Sequence, residues 1–369
     1  MNKTKIPLPA ELKTFDFIIS SGIDIDVDSR EFSISYISSE EPDDENNKSN
    51  ANKNIFNVKA QTMNKTIEKL QSLTNKSLSD SHLEYILIGE DTAKENLDYF
   101  NDFYSKNSNI RLDAYTFITK DMTSESFIKK ILTSKIDVDA RLDGLVNDKA
   151  QLCSLTKKNL KDMMQIFYSK NKTGVIPVLS VKESPIKSEE SPEDEKDEKY
   201  TFEFYGLGIL NDGKLTDYLP YQFVRTYLIL TKNVKMTDIE ITDENDNVYV
   251  FSVKNSKNNI SFQFNKTDIP EKVIFTVNID TNFDETSNKE KNLTEDQINR
   301  FNKIQSEKIK SEIDEIINIS KKIDVDFLNI GDSLSVQHPY KWHGIKDDWQ
   351  DIFKNMDYEI NVSVKGRRK

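Results

Sequence analysis

Alternation of hydrophobic and polar positions marks a series of strands in the first half of the chain. Residues 15–25 and the alternating run 32–37 lie on either side of a short turn at residues 26–30, which predicts a β-hairpin. Three further strands are predicted over residues 82–88, 110–119 and 175–181. Pro177 lies inside the last of them and favours a sheet edge or a bulge, because proline cannot donate a ladder hydrogen bond.

Between these strands the hydrophobic period changes to that of a helix. Met63, Ile67, Leu70 and Leu73 recur at three or four residues and predict a helix with one apolar stripe. Asp91 is a predicted N-cap for a second helix, and residues 160–168 predict a third. The order strand, strand, helix, strand, helix, strand indicates a mixed α/β layer.

The second half of the chain is richer in strands. Residues 200–210 predict a strand that turns at Asp212 and Gly213, a pair typical of tight hairpins. An antiparallel meander is predicted from four runs at residues 238–242, 248–253, 260–264 and 272–279. The alternating run at residues 358–364 predicts an edge or closing strand.

The longest helix is predicted over residues 294–322. Thr294 and Gln297 fit a capping box, in which the side chain of each residue accepts a hydrogen bond from the backbone N–H of the other. Isoleucines then form a stripe against a face of Lys, Glu and Ser, so this helix is expected to cover a sheet. A coiled coil is the weaker interpretation, because the spacing does not keep a strict heptad.

The length and composition of the chain predict more than one hydrophobic core. The chain has 369 residues, of which 36% are hydrophobic, and this excludes wholesale disorder. The segments 38–54 and 183–199 are polar and are expected to be exposed loops; the second is an acidic insertion. The fold class predicted is α+β with three domains, each a mixed or antiparallel β-sheet covered by helices.

The predicted domain boundaries follow the pattern of elements along the chain. They are an N-terminal α+β domain at residues 1–140, a small middle α+β domain at 141–224 that contains the acidic insertion 183–199, and a C-terminal domain at 225–369. The C-terminal domain is expected to combine an antiparallel sheet with the long helix 294–322.

Charge, cysteine content and hydropathy exclude several functional classes. A net charge of −12 argues against a nucleic-acid binder that relies on a broad positive field. The single Cys153 excludes an intrachain disulfide and a Cys-based zinc site, and no run reaches the ~20 apolar residues of a membrane span. Residues 1–10 do not have the pattern of a secretory signal peptide. Two interpretations stay open: a cytoplasmic protein, or a chain whose export signal has been removed.

Few residues offer catalytic chemistry. His338, His343 and Asp347 lie close enough in sequence to suggest metal ligands, but their spacing fits no zinc pattern. Pro339 and the glycine at 344 predict a loop there, anchored by tryptophans 342 and 349. Cys153 could serve as a nucleophile or a lipidation site, whereas its apolar neighbours favour a buried small side chain. No catalytic residue, metal ligand or cofactor is therefore predicted.

Several segments, taken together, resemble one known family. These are the opening strand that ends in Gly22-Ile23-Asp24, the run 78–90 that ends in Gly89-Glu90 and continues through a helix to Ile110-Arg111-Leu112, the hairpin at 205–215, and the run 326–332 followed by Trp342 and Trp349. In this order they resemble the C-subunit lipoproteins of spore germinant receptors, the Ger(x)C family. The resemblance covers nearly the whole chain.

The resemblance implies a three-domain α+β protein held by N-terminal lipid on the outer face of the spore inner membrane. Its implied partners are the receptor A and B membrane subunits, with no nucleic acid and no assigned catalytic activity. The family's signal peptide and lipid-carrying Cys have no counterpart in Met1 to Ala10 of this chain. A lipid anchor is thus expected of the native precursor, and a partner-binding surface cannot be assigned.

Three functional hypotheses remain at this point. The first is a non-catalytic receptor subunit that acts through protein–protein contacts. The second is an extracytoplasmic module that binds the small-molecule nutrient, which requires a pocket with convergent polar groups. The third is a metal-assisted hydrolase built on His338, His343 and Asp347.

Overall fold

The structure, a computed structural model, contains two compact units. It describes residues 15–26, 28–39, 53–73, 77–95, 97–106, 110–134, 136–151, 157–169, 172–184, 200–232, 234, 237–287 and 293–367. The first unit comprises residues 1–145, 157–172 and 176–216, and the second comprises 146–156, 173–175 and 217–369. The predicted α+β fold class, with mixed or antiparallel sheets covered by helices, is confirmed. The division into three domains remains a prediction.

A nine-stranded mixed sheet is the centre of the first unit. Its strands are β1 (Phe15–Ile25), β2 (Phe32–Ser39), β3 (Lys53–Ala60), β4 (Ser77–Ser79), β5 (Tyr85–Gly89), β6 (Tyr115–Thr119), β7 (Gly174–Glu183), β8 (Tyr200–Asn211) and β9 (Lys214–Pro220). Along the sheet the order is β3-β2-β1-β5-β6-β7-β8-β9, and β4 pairs with β1. Strands β1, β5, β6 and β7 run parallel, and the predicted hairpin of β1 and β2 is confirmed.

Short helices connect these strands. They are α1 (Met63–Leu73), α2 (Glu90–Glu95), α3 (Asp98–Lys106), α4 (Ser124–Thr133), α5 (Val138–Gln151) and α6 (Leu160–Tyr168). The helices expected at residues 63–73 and 160–168 are confirmed. The N-cap assigned to Asp91 is wrong, because helix α2 already begins at Glu90 and a separate helix, α3, begins at Asp98.

Strand β7, which contains Pro177, is an interior strand of this sheet. Pro177 was expected at an edge or a bulge; the edge position is wrong, because β7 lies between β6 and β8. Its register with β6 consists of Ile118 opposite Val178 and Thr119 opposite Leu179, immediately after the proline. An interior strand can therefore contain Pro177, since the pairing with β6 involves the residues that follow it.

The second unit is built on a four-stranded sheet. Its strands are β10 (Thr237–Thr242), β11 (Val248–Phe264), β12 (Pro270–Thr286) and β13 (Asp357–Arg367), in the order β10-β11-β12-β13. The antiparallel meander β10-β11-β12 is confirmed, but the runs 248–253 and 260–264 form one 17-residue strand with register shifts. Strand β13 closes the sheet parallel to β12.

Helices cover one face of this sheet. They are α7 (Tyr221–Thr231), α8 (Glu295–Lys322), α9 (Ile330–Gln337), α10 (Pro339–Ile345) and α11 (Trp349–Asn355). The capping box of Thr294 and Gln297 is confirmed at the start of α8. The side chains of Ile309, Ile313 and Ile316 on α8 are fully buried, so the isoleucine stripe forms the core of this unit.

Candidate functional site

The carboxylate of Asp24 organises the carboxyl edge of the parallel strands in the first unit. Asp24 is 5% exposed, and its oxygens accept hydrogen bonds from the Ser124 backbone N–H and hydroxyl, both at 2.8 Å, and from the Glu125 N–H at 3.0 Å. Ser124 begins helix α4, so a side chain from β1 satisfies N–H groups that every helix start leaves unpaired. Burial raises the pKa of Asp24 above its ordinary value, although these hydrogen bonds oppose the shift.

Two glycines allow α4 to approach this close. A Cβ at Gly22 would lie 2.7 Å from the Ser124 hydroxyl oxygen, and one at Gly89 would lie 3.2 Å from the Thr123 Cα and overlap the Asp24 carboxylate. Gly22, Asp24 and Gly89 are among the residues on which the family resemblance rests. Their shared role in this structure is to fit one helix start against two strand ends.

Glu90 supports the neighbouring turn. Its carboxylate is nearly buried, lies 2.6 Å from the Lys94 ammonium and 3.4 Å from the Lys120 ammonium, and accepts a hydrogen bond from the Asp121 N–H. Asp121 has a φ of 56°, a conformation that a non-glycine residue adopts at some cost. Glu90 therefore stabilises the turn between β6 and α4, and the Gly89-Glu90 pair has a structural function.

A cleft opens beside this edge, where β1 ends and β2 begins. Its volume is about 670 Å³, within the range of small-molecule sites. Ile25 and Phe32 supply apolar walls, and the 59%-exposed ring of Tyr99 meets Phe32 edge-on at 6.0 Å between centroids. In open α/β sheets, ligands bind outside the carboxyl ends of the strands, which is where this cleft lies. We refer to it as the β1 cleft.

Charged side chains of both signs also line the β1 cleft. Arg30 and Lys214 are the cations, and Asp26 and Glu95 are the carboxylates. Hydrogen bonds from Ser29, with a smaller contribution from Asp28, lower the pKa of Asp26, so its carboxylate stays ionised. Gln61 completes the lining, and its amide donates to Glu31 at 3.2 Å.

A second buried carboxylate lies in the C-terminal unit. Asp326 accepts hydrogen bonds from the N–H groups of Ile330 and Gly331 at 2.9 and 2.8 Å, and from the Trp349 indole at 3.1 Å. Burial raises its pKa above the ordinary value, with the same hydrogen bonds acting in the opposite direction. Asp326 thereby ties the start of α9 to α11.

The aromatic residues of this region pack around the same helix start. Trp349 is 3% exposed and meets Trp342 edge-on at 5.3 Å. A Cβ at Gly331 would lie 2.7 Å from the Trp349 indole nitrogen, so a larger residue there would displace the ring. The motif at residues 326–332 and the two tryptophans thus form one packing unit.

The segment around the two candidate histidines is helical. The predicted loop is wrong, because His338 lies between α9 and α10, and α10 begins at Pro339 in a position that proline favours. The His338 ring contacts Phe264 at 4.9 Å, while His343 is exposed on α10. Within the described ranges, no group of three or more His, Cys, Asp or Glu side chains is arranged to hold a metal ion.

Several predictions fall outside the described residues. Cys153, residues 185–199 of the acidic insertion and residues 1–10 are among them, so their predicted roles remain predictions. None of the described helices combines the length and apolar character needed to cross a membrane.

The sequence patterns did not predict the residues that line the β1 cleft. Its charged residues come from three separated segments, the turn at residues 26–30 and the positions 95 and 214, and no local spacing connects the three. The turn at Asp212 and Gly213 was predicted and is confirmed by positive φ values of 47° and 72°. That turn places Lys214 at the start of β9, and a hydrogen bond from the Leu97 N–H to the Gly213 carbonyl, at 3.1 Å, holds the turn beside Glu95 and Tyr99.

Two family models match the chain in sequence order. The spore germination protein N-terminal domain matches residues 9–181, and the C-terminal domain described as spore germination B3/GerAC-like matches residues 205–369. The chain therefore belongs to the Ger(x)C family of spore germination proteins.

Individual relatives agree with this family. The chain is 20% identical over 314 residues to spore germination protein B3 of Bacillus subtilis, covering 80% of this chain and 77% of that protein. It is 21% identical over 333 residues to spore germination protein KC of the same organism, covering 84% and 76%. A crystal structure of the GerBC protein has the same fold, with a TM-score of 0.55 and 16% identity over 94% of this chain and 97% of that one.

Proposed function

We propose that this protein is a non-catalytic C subunit of a nutrient germinant receptor in spore germination. It acts through protein–protein contacts with the receptor A and B membrane subunits at the outer face of the spore inner membrane. A lipid anchor in the native precursor holds it there. The observation that carries the proposal is that two germination family models together match most of the chain in order.

The arrangement of the motif residues supports a structural role. Asp24 and Asp326 each accept three hydrogen bonds, two of which come from backbone N–H groups at the start of a helix. Acids of a hydrolytic site need to face a substrate and a water molecule. Carboxylates engaged by backbone N–H groups and by a side-chain hydroxyl or indole are better suited to positioning elements than to proton transfer, so we assign the protein no catalytic activity.

The test is a deletion of the gene with three complementing versions. One carries a lipid-anchored chain, the second replaces the lipidation Cys of the leader by Ser, and the third is anchored and carries His338→Ala and His343→Ala. Dipicolinate release is followed after nutrient addition and after a receptor-independent trigger. Co-purification of the A and B subunits with the anchored chain measures the contacts directly.

We expect the deletion to lose the nutrient response alone, and the first and third versions to restore it. The anchorless version fails because a weakly held subunit leaves the membrane. A normal nutrient response without the gene, or no A or B subunit in the purified complex, would contradict the proposal. If the double histidine variant folds but fails, the metal-assisted hydrolase gains support.

The alternative is an extracytoplasmic module that binds the nutrient itself. The specific observation in its favour is the β1 cleft, which has the volume and the mixed lining of a small-molecule site. The two roles are compatible, because a receptor subunit can both hold partners and bind a ligand.

A further inference from the structure

Helix side chains bond to the outer edge of strand β10 in the sheet of the C-terminal unit. The Arg225 guanidinium donates to the Asp238 carbonyl at 2.9 Å. The Lys308 ammonium donates to the Glu240 carbonyl at 2.7 Å. Strand β10 is an outer strand, and the unpaired backbone groups of such a strand are a template for pairing with another chain. These two contacts therefore block part of one edge of the sheet.

The other outer strand is β13, and helix α8 bonds to its C-terminal half. The Ser306 hydroxyl accepts a hydrogen bond from the Val364 N–H at 3.2 Å. The Asn302 side-chain oxygen accepts one from the Gly366 N–H at 2.8 Å. Because the N–H groups of successive residues in a strand point to opposite sides, these bonds show that the even-numbered residues of β13 turn their N–H groups away from β12.

A groove lies beside the preceding part of the same edge. By the same alternation, the N–H groups of Ile360 and Val362 point outward, and neither bonds to a side chain within the described residues. The groove has a volume of about 260 Å³ and is lined by residues 360–363, with the exposed Lys310 of α8 on its helix side. We refer to it as the β13 groove. An extended segment of about five residues, roughly 17 Å long, matches the stretch 358–362.

Side chains on the two faces of β13 select the occupant of the β13 groove. Asp357 and Glu359 are exposed carboxylates on the open face of the sheet, whereas Ile360 and Val362 turn towards α8. Glu359 lies 3.7 Å from the Lys272 ammonium, but both side chains are partly exposed, so this pair holds weakly. A segment with basic residues on one face and apolar residues on the other therefore complements both faces.

A second copy of this chain fits the β13 groove less well. Its own β13 would bring a second Lys310 over the same space, and the two ammonium groups would repel one another. Pairing along the whole strand would also take the Val364 and Gly366 N–H groups away from Ser306 and Asn302. A single extended segment avoids both costs.

We propose that the β13 groove binds an extended segment of a protein partner, which adds to the sheet as a fifth strand. Main-chain hydrogen bonds to the outward groups of β13 hold the segment. Its basic residues face Asp357 and Glu359, and its apolar residues pack beside Val362 and α8. That the partner is another receptor subunit rests on the proposed function, whereas the groove and its preference for a basic, apolar strand do not.

Fluorescence anisotropy of a labelled peptide on the purified full chain tests the strand addition. The probe is a capped pentapeptide of alternating lysine and valine, KVKVK. One control peptide is EVEVE, which reverses the charge, and the other is KVKVK with a fully N-methylated backbone, which retains the charge but has no backbone donor. We expect saturable binding of the probe with a Kd of about 10–100 µM, and a loss of about tenfold or more with either control.

Hydrogen exchange followed by mass spectrometry locates the bound peptide. The outward N–H groups of residues 358–363 should exchange more slowly when the probe is present, because the peptide then accepts their hydrogen bonds. The strand β10, at the opposite edge of the sheet, should show no change.

Variants with matched controls test the edge. Val362→Pro removes an outward donor without removing a bond to β12, and it should weaken binding by about tenfold. Val362→Ala retains the N–H and should stay within about threefold of the wild type. Glu359→Gln should weaken binding by about threefold or more, whereas Glu244→Gln, an exposed carboxylate outside the groove, should not. If circular dichroism melting shows that Val362→Pro fails to fold, the N-methylated peptide is decisive.

The proposal is overturned by no saturable binding at about 1 mM probe, by equal binding of the N-methylated peptide, or by unchanged exchange at residues 358–363. A dimer of the chain alone in sedimentation that Val362→Pro abolishes would also overturn it, because the occupant would then be a second copy. These measurements use the isolated chain, so their failure leaves the receptor-subunit proposal intact. Conversely, a deletion strain with a normal nutrient response would leave peptide binding unaffected.

Discussion

The carboxylate of Asp24, at the end of the first strand, accepts hydrogen bonds from both the backbone N–H and the hydroxyl of Ser124, each at 2.8 Å. One hundred residues separate the two along the chain. This contact connects strand β1 to the start of helix α4 and gives the Gly-Ile-Asp motif a physical function, which the following substitutions test.

Replacing Asp24 by Ala should lower the free energy of unfolding by about 2–4 kcal/mol, because three donors lose their acceptor in a buried place. Asp26→Ala is the matched control two residues away. Its carboxylate is exposed and accepts hydrogen bonds from residues of its own turn, so we expect a loss of about 1 kcal/mol or less. Urea unfolding of both variants provides the comparison, and equal losses would contradict the assigned role.

Gly89→Ala should be destabilising by about 1–3 kcal/mol, since the added Cβ would overlap the Asp24 carboxylate and crowd Thr123. Gly144→Ala serves as the control within helix α5, where nothing lies within 4 Å of the new Cβ. The control should be stabilising by about 0.5–1 kcal/mol, because alanine favours a helix. Thermal melting distinguishes these opposite signs, and a neutral Gly89→Ala would show that α4 can move away.

Asp326→Asn should cost about 2–3 kcal/mol near neutral pH, because an amide can accept on one side only and places its NH₂ against donors. The penalty should depend on pH. Burial raises the pKa of Asp326 above its ordinary 3.8, so the native state retains this proton to a higher pH than the unfolded chain. The contribution of this carboxyl to stability therefore falls as pH rises from 3.8 through the raised native value.

The measurement is urea unfolding of the wild type and of Asp326→Asn across that pH window. The difference in unfolding free energy should be larger at about pH 4 than at about pH 7. Asp351→Asn, an exposed carboxylate on helix α11, is the control and should change stability by no more than about 0.5 kcal/mol. A penalty that grows with pH would reverse the assigned direction of the pKa shift.

Glu312→Gln should lower the unfolding free energy by about 2–4 kcal/mol. Glu312 holds Arg225 through two hydrogen bonds of 2.8 Å and accepts from the Thr226 hydroxyl, in a place where both charged side chains are less than one-fifth exposed. Removing one partner leaves a largely buried guanidinium without its counter-charge. The control is Glu244→Gln, which breaks an exposed pair with Arg300 and should cost less than about 0.5 kcal/mol. Comparable losses in chemical denaturation would exclude a special role for the Arg225 pair.

How well an element can be predicted from the sequence depends on how far apart its interacting residues lie along the chain. The capping box at Thr294, the hairpin turn at Asp212 and the helix at 160–168 depend on neighbouring residues, and all three were predicted. The helices of residues 330–345 were missed because Pro339 was interpreted as a loop signal, whereas it occupies the first turn of α10.

The sequence by itself determined the elements whose cause is local, because hydrophobic period, caps and turn residues act within about four positions of the chain. It also determined the family, through motifs whose order is preserved from residue 22 to residue 349. Only the tertiary structure decided that β1 lies between β2 and β5, that Asp24 meets Ser124, and that Arg30, Glu95 and Lys214 line one cleft. Those relationships arise from packing and strand register between distant segments, for which no short pattern in the chain provides a signal.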